Sequence, residues 1–289
     1  MNFVLDPKEF RLLDGLRMNP RKSFSGRVRG ERLTRKKGVS IEFADYREYS
    51  EGDDLRHLDW NVLARLDVPV MRTYQDEEDL AVHLLLDVSP SMSFGEPTKS
   101  ELARKCALGL GYVALMGGDT VYPRTLSRVT PRTLPLRGRA SFPKLAAWSQ
   151  ASSDTSDSFS KSLRAFANSS ARTGVVALIS DGLDPEATTA IRILAGRGHE
   201  ILFLQVLSSV DLDPDLEGDL RLVDAEGGAP VEVTANGSVI REYRKRLAAH
   251  NAALVDAILR VGGRHHLITS SWELSSVVND VWKRGGWIR

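Results

Sequence analysis

The sequence predicts an α/β fold: a doubly wound, mostly parallel sheet with helices on both faces, and a small β-rich module on its N-terminal side. Along residues 81–289, short apolar runs such as Ala81–Leu86 and Val175–Ile179 alternate with longer segments of helical periodicity. This alternation is typical of parallel strands connected by helices. Asp87 and Asp181 follow these two runs, and the carboxyl ends of such strands form the ligand-binding edge of an open parallel sheet.

The composition is that of a chain that can bury a large core. It has 289 residues, of which 42% are hydrophobic, and a net charge of +1, so the total charge does not indicate a polyanionic partner. The single cysteine, Cys106, excludes an internal disulfide framework and a cysteine-rich zinc site. Neither a secretory signal nor an apolar stretch of the roughly 20 residues needed to span a bilayer is visible. We therefore expect a cytoplasmic protein without a membrane span.

Residues 1–37 are predicted to be a basic N-terminal segment with one short helix between Pro7 and Met18, where apolar residues recur at helical spacing. Arg17–Lys37 contains nine basic residues and one acidic residue, a composition that can contact nucleic-acid phosphates. However, Glu42–Asp59 contains seven acidic residues and two basic ones. Because the two segments can neutralise each other and aromatic residues are sparse in the basic one, we do not expect nucleic acid to be the partner.

Residues 38–80 are predicted to form the small β-rich module, because glycine, charged and aromatic residues are dense there. Its charged residues allow two interpretations. They form either a docking patch for a partner or an ion-pair lattice that holds the module together, with Trp60 among the aromatic residues packed beneath it. The density of paired charges and aromatics favours the lattice. The docking patch would consist of Asp53, Asp54, Arg56 and Asp59, and the lattice of Arg47, Asp53, Arg56 and Asp59.

Residues 81–289 are assigned to one main domain. The helix predicted at Lys99–Met116 ends at Gly117-Gly118, and glycine pairs predict a β-meander around residues 219–240. Further strands are predicted at Ala81–Asp87, Thr120–Leu126, Arg128–Leu136, Gly174–Asp181, Glu200–Leu207 and Arg264–Thr269, and further helices at Ser141–Gln150, Ser158–Ser169, Pro185–Gly196 and Ile240–Val261. Ser270–Glu273 has the pattern of a capping box that opens the last helix.

Three tryptophans lie near the C-terminus. Trp272 and Trp282 are ten residues apart, on nearly the same face of the predicted last helix, and core packing is expected for both. Trp287 lies in a glycine-flanked tail. We therefore expect Trp287 to contact a partner and the last five residues to be dispensable for folding.

The turn after the first main strand carries a set of oxygen ligands. Asp87 is followed at the second and fourth positions by Ser89 and Ser91, and alternate residues in such a bending turn face the same way. Hard divalent cations prefer shells of oxygen atoms, and Asp181 supplies a second carboxylate to the same edge of the sheet. An alternative is that both aspartates cap the helices that follow. The two serines together with the second aspartate favour a cation site.

Two segments resemble known families. Asp87–Met92 resembles the metal-ion-dependent adhesion motif of von Willebrand factor A domains, and Glu42–Trp60 resembles the signature of the bacterial "domain of unknown function 58" family. This resemblance implies a von Willebrand factor A-like main domain in which Asp87, Ser89, Ser91 and Asp181 are metal ligands. It also implies a MoxR-type AAA+ ATPase as partner in the assembly or remodelling of an unidentified client protein.

The same resemblance calls for a threonine in a loop that precedes a helix. This chain has Thr155 and Asp157 there, and the two remain equal alternatives for the next ligand. Mg²⁺ is the expected cation, and Mn²⁺ and Ca²⁺ also suit oxygen ligands. The implied mechanism is recognition without catalysis: a carboxylate of the partner fills an open coordination position of the cation.

An enzymatic alternative comes from Ser180–Asp184, which resembles the acidic motif of haloacid-dehalogenase-like phosphohydrolases. In a magnesium-dependent enzyme of that type, Asp87 would be the nucleophile. Those enzymes require a second aspartate two residues later as general acid, and Ser89 occupies that position here. A serine hydroxyl cannot supply that proton near neutral pH, so the sequence favours a protein that is not an enzyme.

Overall fold

The computed structural model describes residues 5–22, 24, 42–50, 53–75, 79–126, 134–150, 158–225, 227 and 229–289. Thr155 and Asp157, and the predicted boundary between residues 37 and 38, lie outside the described residues. The chain divides into two compact units: one is Ser25–Asp79, and the other combines Met1–Phe24 with Leu80–Arg289.

The described residues form the following elements. The helices are α1 (Pro7–Leu13), α2 (Trp60–Leu66), α3 (Lys99–Met116), α4 (Phe142–Gln150), α5 (Phe159–Ala167), α6 (Ala187–Ala195), α7 (Ser209–Leu212), α8 (Gly237–Arg260) and α9 (Leu274–Ser276), which continues as a π-helix at Val277–Lys283. The strands are β1 (Glu42–Glu48), β2 (Val70–Gln75), β3 (Ala81–Asp87), β4 (Thr120–Leu126), β5 (Leu136–Arg137), β6 (Val175–Ser180), β7 (Glu200–Leu207), β8 (Gly218–Leu222), β9 (Val231–Ala235) and β10 (Arg264–Thr269).

A mostly parallel sheet forms the centre of the larger unit. Its strands lie in the order β10-β7-β6-β3-β4-β5. Neighbours from β10 to β4 are parallel, and β5 is antiparallel to β4 at the edge. Every residue of β3, β6 and β7 is buried, as expected for strands covered on both faces. The predicted mixed α/β architecture, with a mostly parallel sheet and helices on both sides, is confirmed.

Alternate residues of β3 face two separate cores. Leu84 and Leu86 pack with α3 and the C-terminal π-helix. Leu85 instead packs with α5, α6 and α8. Because successive side chains of a strand point to opposite faces, the continuous apolar run of β3 supplies both cores. No helix within the described ranges is long and apolar enough to cross a bilayer.

The C-terminal segment differs from its prediction. Trp282 and Trp287 are both fully buried in the core that contains α3. Trp282 therefore packs as predicted, whereas the prediction of a partner-contacting Trp287 is wrong. The prediction of core packing is also wrong for Trp272, which precedes α9 and is 37% exposed. The tail is held in place by backbone hydrogen bonds between Arg17 and Arg289 in both directions. The capping box predicted at Ser270–Glu273 is also wrong, because α9 starts at Leu274 without a side-chain cap.

The smaller unit contains the antiparallel pair of β1 and β2, with α2 between them in sequence. Asp59 caps α2 by accepting from two backbone amides, and its other oxygen accepts from the Tyr46 hydroxyl at 3.0 Å. Arg47 donates two hydrogen bonds to Asp53, at 2.6 and 2.7 Å. The Arg47–Asp53 pair supports the ion-pair interpretation, whereas Arg56 pairs with Asp54 and Asp59 serves as a helix cap. However, Trp60 is 59% exposed, so the expectation that it packs beneath the lattice is wrong.

Candidate cation site

The predicted oxygen ligands meet at the carboxyl edge of the sheet. Asp87 is the last residue of β3, and Ser89 and Ser91 lie in the turn after it. Asp181 follows β6 directly. Because β3 and β6 are adjacent and parallel, their carboxyl ends lie side by side, and Asp87, Ser91 and Asp181 line one cavity.

The Asp87 carboxylate is held by two donors. Its Oδ1 accepts from the backbone amide of Ser89 at 2.9 Å, and its Oδ2 accepts from the hydroxyl of Ser180 at 2.5 Å. The Ser89 and Ser91 hydroxyls are 3.0 Å apart and share a hydrogen bond. The oxygens of the predicted motif are therefore clustered. Ser180 was not predicted as a site residue, since only its place just before Asp181 marks it in the sequence.

Neither aspartate caps a following helix. Thr98 caps α3, and Glu186 precedes α6. The side chain of Asp181 instead accepts from the amide of Leu183 at 3.3 Å. The alternative interpretation of these two aspartates as helix caps is therefore wrong. Each carboxylate instead accepts a hydrogen bond from the backbone amide two residues later, in the turn that follows its strand.

The site also contains a buried lysine, Lys99, that was not predicted from the sequence. The Lys99 ammonium donates to Asp181 Oδ2 at 2.9 Å and lies 3.0 Å from Asp211 Oδ2. Lys99 is the first residue of α3, and it is 1% exposed. The sequence did contain an indication of this contact, namely a lysine in the first turn of a predicted helix. A positive charge there is disfavoured by the helix dipole, so a neighbouring negative charge is expected.

Burial and neighbouring charges shift the pKa values of this cluster. Burial raises the pKa of Asp87 to about 6, and the nearby Asp181 adds to this rise, while hydrogen bonds from Ser180 and Ser89 oppose it. For Lys99, burial lowers the pKa, but Asp181 and Asp211 outweigh it, so that the pKa is raised. The ammonium is therefore charged at neutral pH.

The cavity beside Asp87 has a volume of about 640 Å³. Its other walls come from the start of α5, the segment after β6, and the loop after β8; they are lined by Ser158, Phe159, Ser160, Lys161, Arg164, Leu183, Asp184, Pro185, Glu186 and Asp224. Ser160 donates to Asp184 through its amide and its hydroxyl, at 3.0 and 2.8 Å, which fixes the start of α5 against the turn after β6.

The donor set fits a hard divalent cation. Carboxylate and hydroxyl oxygens are the ligands that Mg²⁺, Ca²⁺ and Mn²⁺ accept. Within the part of the chain that the structure describes, no three His, Cys, Asp or Glu side chains are arranged to hold a metal. A cation beside Asp87 would therefore also need hydroxyl ligands. Ser91 lines the cavity, whereas Ser89 is buried, is not among the lining residues, and shares a hydrogen bond with Ser91.

Comparisons with known proteins identify relatives without an assigned function. The family model described as "Protein of unknown function DUF58" matches residues 45–253. The chain is 29% identical over 266 residues to "Uncharacterized protein Mb1516" of Mycobacterium bovis. The matched region covers 89% of this chain and 83% of that protein. "Uncharacterized protein Rv1480" of Mycobacterium tuberculosis matches equally. A solved structure, conserved hypothetical protein BatB from Bacteroides thetaiotaomicron, aligns with a TM-score of 0.44 and 15% identity, covering 72% of this chain and 98% of that chain.

Proposed function

The chain belongs to the DUF58 family of proteins of unknown function, and from that premise we propose that it is a non-enzymatic, von Willebrand factor A-like domain that binds a partner protein through one divalent cation. The observation that carries this proposal is the clustering of Asp87, Ser91 and Asp181 around one cavity. The Ser89 hydroxyl shares a hydrogen bond with that of Ser91. Mg²⁺ is the cation we propose first, because the donors are hard oxygen atoms.

The residues of the site are suited to orienting a ligand. A bound divalent cation would supply positive charge and a coordination position for a carboxylate of the partner. Ser180 and the Ser89 amide hold the Asp87 carboxylate in one orientation. Lys161 and Arg164 line the same cavity. Arg164 is paired with Glu186 at 2.7 Å, so Lys161 is the positive charge that favours an acidic segment of the partner. The proposed partners are a MoxR-type AAA+ ATPase and its client protein.

The arrangement around Ser89 supports binding over phosphohydrolase chemistry. The Ser89 side chain is buried, and its hydroxyl is paired with Ser91. It therefore cannot replace the general acid that such an enzyme requires near its nucleophile. Release of phosphate from simple phosphomonoesters in the presence of Mg²⁺, abolished in Asp87→Asn, would favour the enzymatic alternative.

Calorimetric titration with Mg²⁺ and Mn²⁺ tests the cation site. We expect the wild-type chain to bind one cation and Asp87→Asn to lose this binding. Asp256→Asn is the matched control, because Asp256 is an exposed carboxylate of α8 outside the cavity, paired with Arg260. Wild-type protein that binds neither cation at millimolar concentration, or Asp87→Asn that binds as the control does, would refute the proposal. Co-purification with a MoxR-type ATPase, with and without a chelator, tests the partner.

A further inference from the structure

Lys99 occupies a position that helix stability does not explain. An ammonium in the first turn of a helix is disfavoured by the helix dipole, and a buried charge is costly unless it is paired. Lys99 is nonetheless the first residue of α3 and is 1% exposed. Its position is therefore determined by its partners, Asp181 and Asp211, at 2.9 and 3.0 Å.

Both partners are held in place independently of the lysine. Asp211 accepts from the amide and the hydroxyl of Ser208, each at 2.8 Å, as part of the capping box of α7. The backbone carbonyl of Asp181 accepts from Gln205 at 2.9 Å, and its side chain accepts from the amide of Leu183. The ammonium thus bridges two fixed carboxylates that follow neighbouring strands, β6 and β7.

The charges of this cluster match one divalent ion. The groups that follow β3, β6 and β7 are the three carboxylates of Asp87, Asp181 and Asp211, and Lys99 contributes one positive charge to them. The other charged residues of the cavity lie on its remaining walls and are not part of this cluster. In the fully ionised state they leave two net negative charges in a largely buried region, where charges interact strongly. One divalent cation beside Asp87 would neutralise them.

We infer that Lys99 is a built-in cation that sets the charge of the site to that of one divalent ion and thereby determines how tightly the site holds it. This inference rests on the proposed cation site. The Lys99 ammonium has no lone pair with which to coordinate a metal, so it acts through its charge and not as a ligand. The affinity for a divalent cation should then follow the net charge of the cluster, whether that charge is altered at Lys99 or at Asp211.

A cycle of charge variants tests this inference, with the Mn²⁺ dissociation constant measured by calorimetry and by electron paramagnetic resonance. Lys99→Met removes the positive charge and keeps much of the side-chain length; we expect at least about tenfold tighter binding. Asp211→Asn removes one negative charge outside the cavity lining; we expect at least about tenfold weaker binding. The double variant restores the wild-type charge, and its affinity should return to within about threefold of wild type.

The outcomes separate this inference from the proposed function. Unchanged or weaker binding in folded Lys99→Met would show that the lysine only positions Asp181, and would overturn the inference. Should thermal melts show that this variant is unfolded, Asp211→Asn decides alone, and an unchanged Mn²⁺ affinity there overturns it. Wild-type protein that binds no Mn²⁺ overturns both proposals. Binding that Asp87→Asn abolishes, but that ignores Lys99 and Asp211, overturns this inference alone.

Discussion

Acid should destabilise the protein through His83, a buried histidine in the middle of the sheet. His83 is 1% exposed and stacks on Tyr122 of the adjacent strand, with ring centroids 4.8 Å apart. Its Nε2 donates to the carbonyl of Arg172 at 2.7 Å. Its Nδ1 is buried and has no hydrogen-bond partner among the described residues. Protonation would therefore bury an unsatisfied N–H and a positive charge, close to the charges of Arg124 and Arg172.

The pKa of His83 gives the magnitude and the sign of this effect. Burial lowers the pKa from 6.5 to about 4, with the neighbouring His199 also lowering it and the hydrogen bond to Arg172 opposing the change. Between these two pH values the unfolded chain binds the proton and the folded chain does not. Stability is therefore complete above pH 6.5 and falls as the pH decreases. At pH 4 the loss due to His83 amounts to about 3 kcal/mol.

Urea unfolding between pH 7 and pH 4, followed by tryptophan fluorescence, measures this loss. His83→Phe keeps an aromatic ring and removes the titrating nitrogen, so its free energy of unfolding should fall by about 3 kcal/mol less than that of wild type across this range. At pH 7 the variant should be about 1 kcal/mol less stable because the bond to Arg172 is lost. Tyr122→Phe is the control and should follow wild type. The reasoning is refuted if His83→Phe shows the same pH dependence as wild type.

Three further predictions concern the core and the site. Trp287→Ala should lower the free energy of unfolding by about 3–5 kcal/mol because the ring is fully buried. Trp272→Ala, at a position 37% exposed, should lower it much less in the same urea experiment, and equal effects would contradict the assignment of Trp287 to the core. Gly174→Ala should lower the melting temperature, since a Cβ there would lie 2.1 Å from the carbonyl oxygen of Ala81; an unchanged melt would contradict this close approach. Mg²⁺ at about 100 times its dissociation constant should stabilise wild type by about 2.7 kcal/mol and should not stabilise Asp87→Asn. An equal rise in melting temperature for both proteins would show that the ion binds away from Asp87.

Strand positions were the most predictable part of the fold. Glu200–Leu207 and Arg264–Thr269 have the predicted bounds, and β3 ends at Asp87 as predicted. Strands β3 and β7 are covered on both faces, so each contains a short apolar run, and the polar residue that ends the run marks the edge of the sheet. This reason does not extend to β10, an edge strand that begins with three polar residues. The clustering of Asp87, Ser89 and Ser91 was predictable for a related reason, because residues two apart need no long-range information to lie close together.

Contacts between distant segments were not predictable in the same way. Trp287 looked like part of a loose tail because glycines flank it, yet the backbone pairing of Arg17 with Arg289 holds that tail against the core. The capping pattern at Ser270–Glu273 was also misleading, since α9 begins only at Leu274 and has no side-chain cap. For Trp287 the local pattern competed with tertiary packing, and the packing prevailed.

The amino-acid sequence by itself determined where the buried strands run, where they end, and that carboxylate and hydroxyl oxygens follow those ends. The tertiary structure decided which of these groups share a site. Strand β6 lies beside β3 although α3, β4, β5, α4 and α5 lie between them in the chain. This neighbour relation brings Ser180 to Asp87 and Lys99 to Asp181, across 93 and 82 residues of sequence. Strand order depends on how all the helices and strands pack together, so a lysine at the start of one helix cannot reveal from the sequence alone which carboxylates it neutralises.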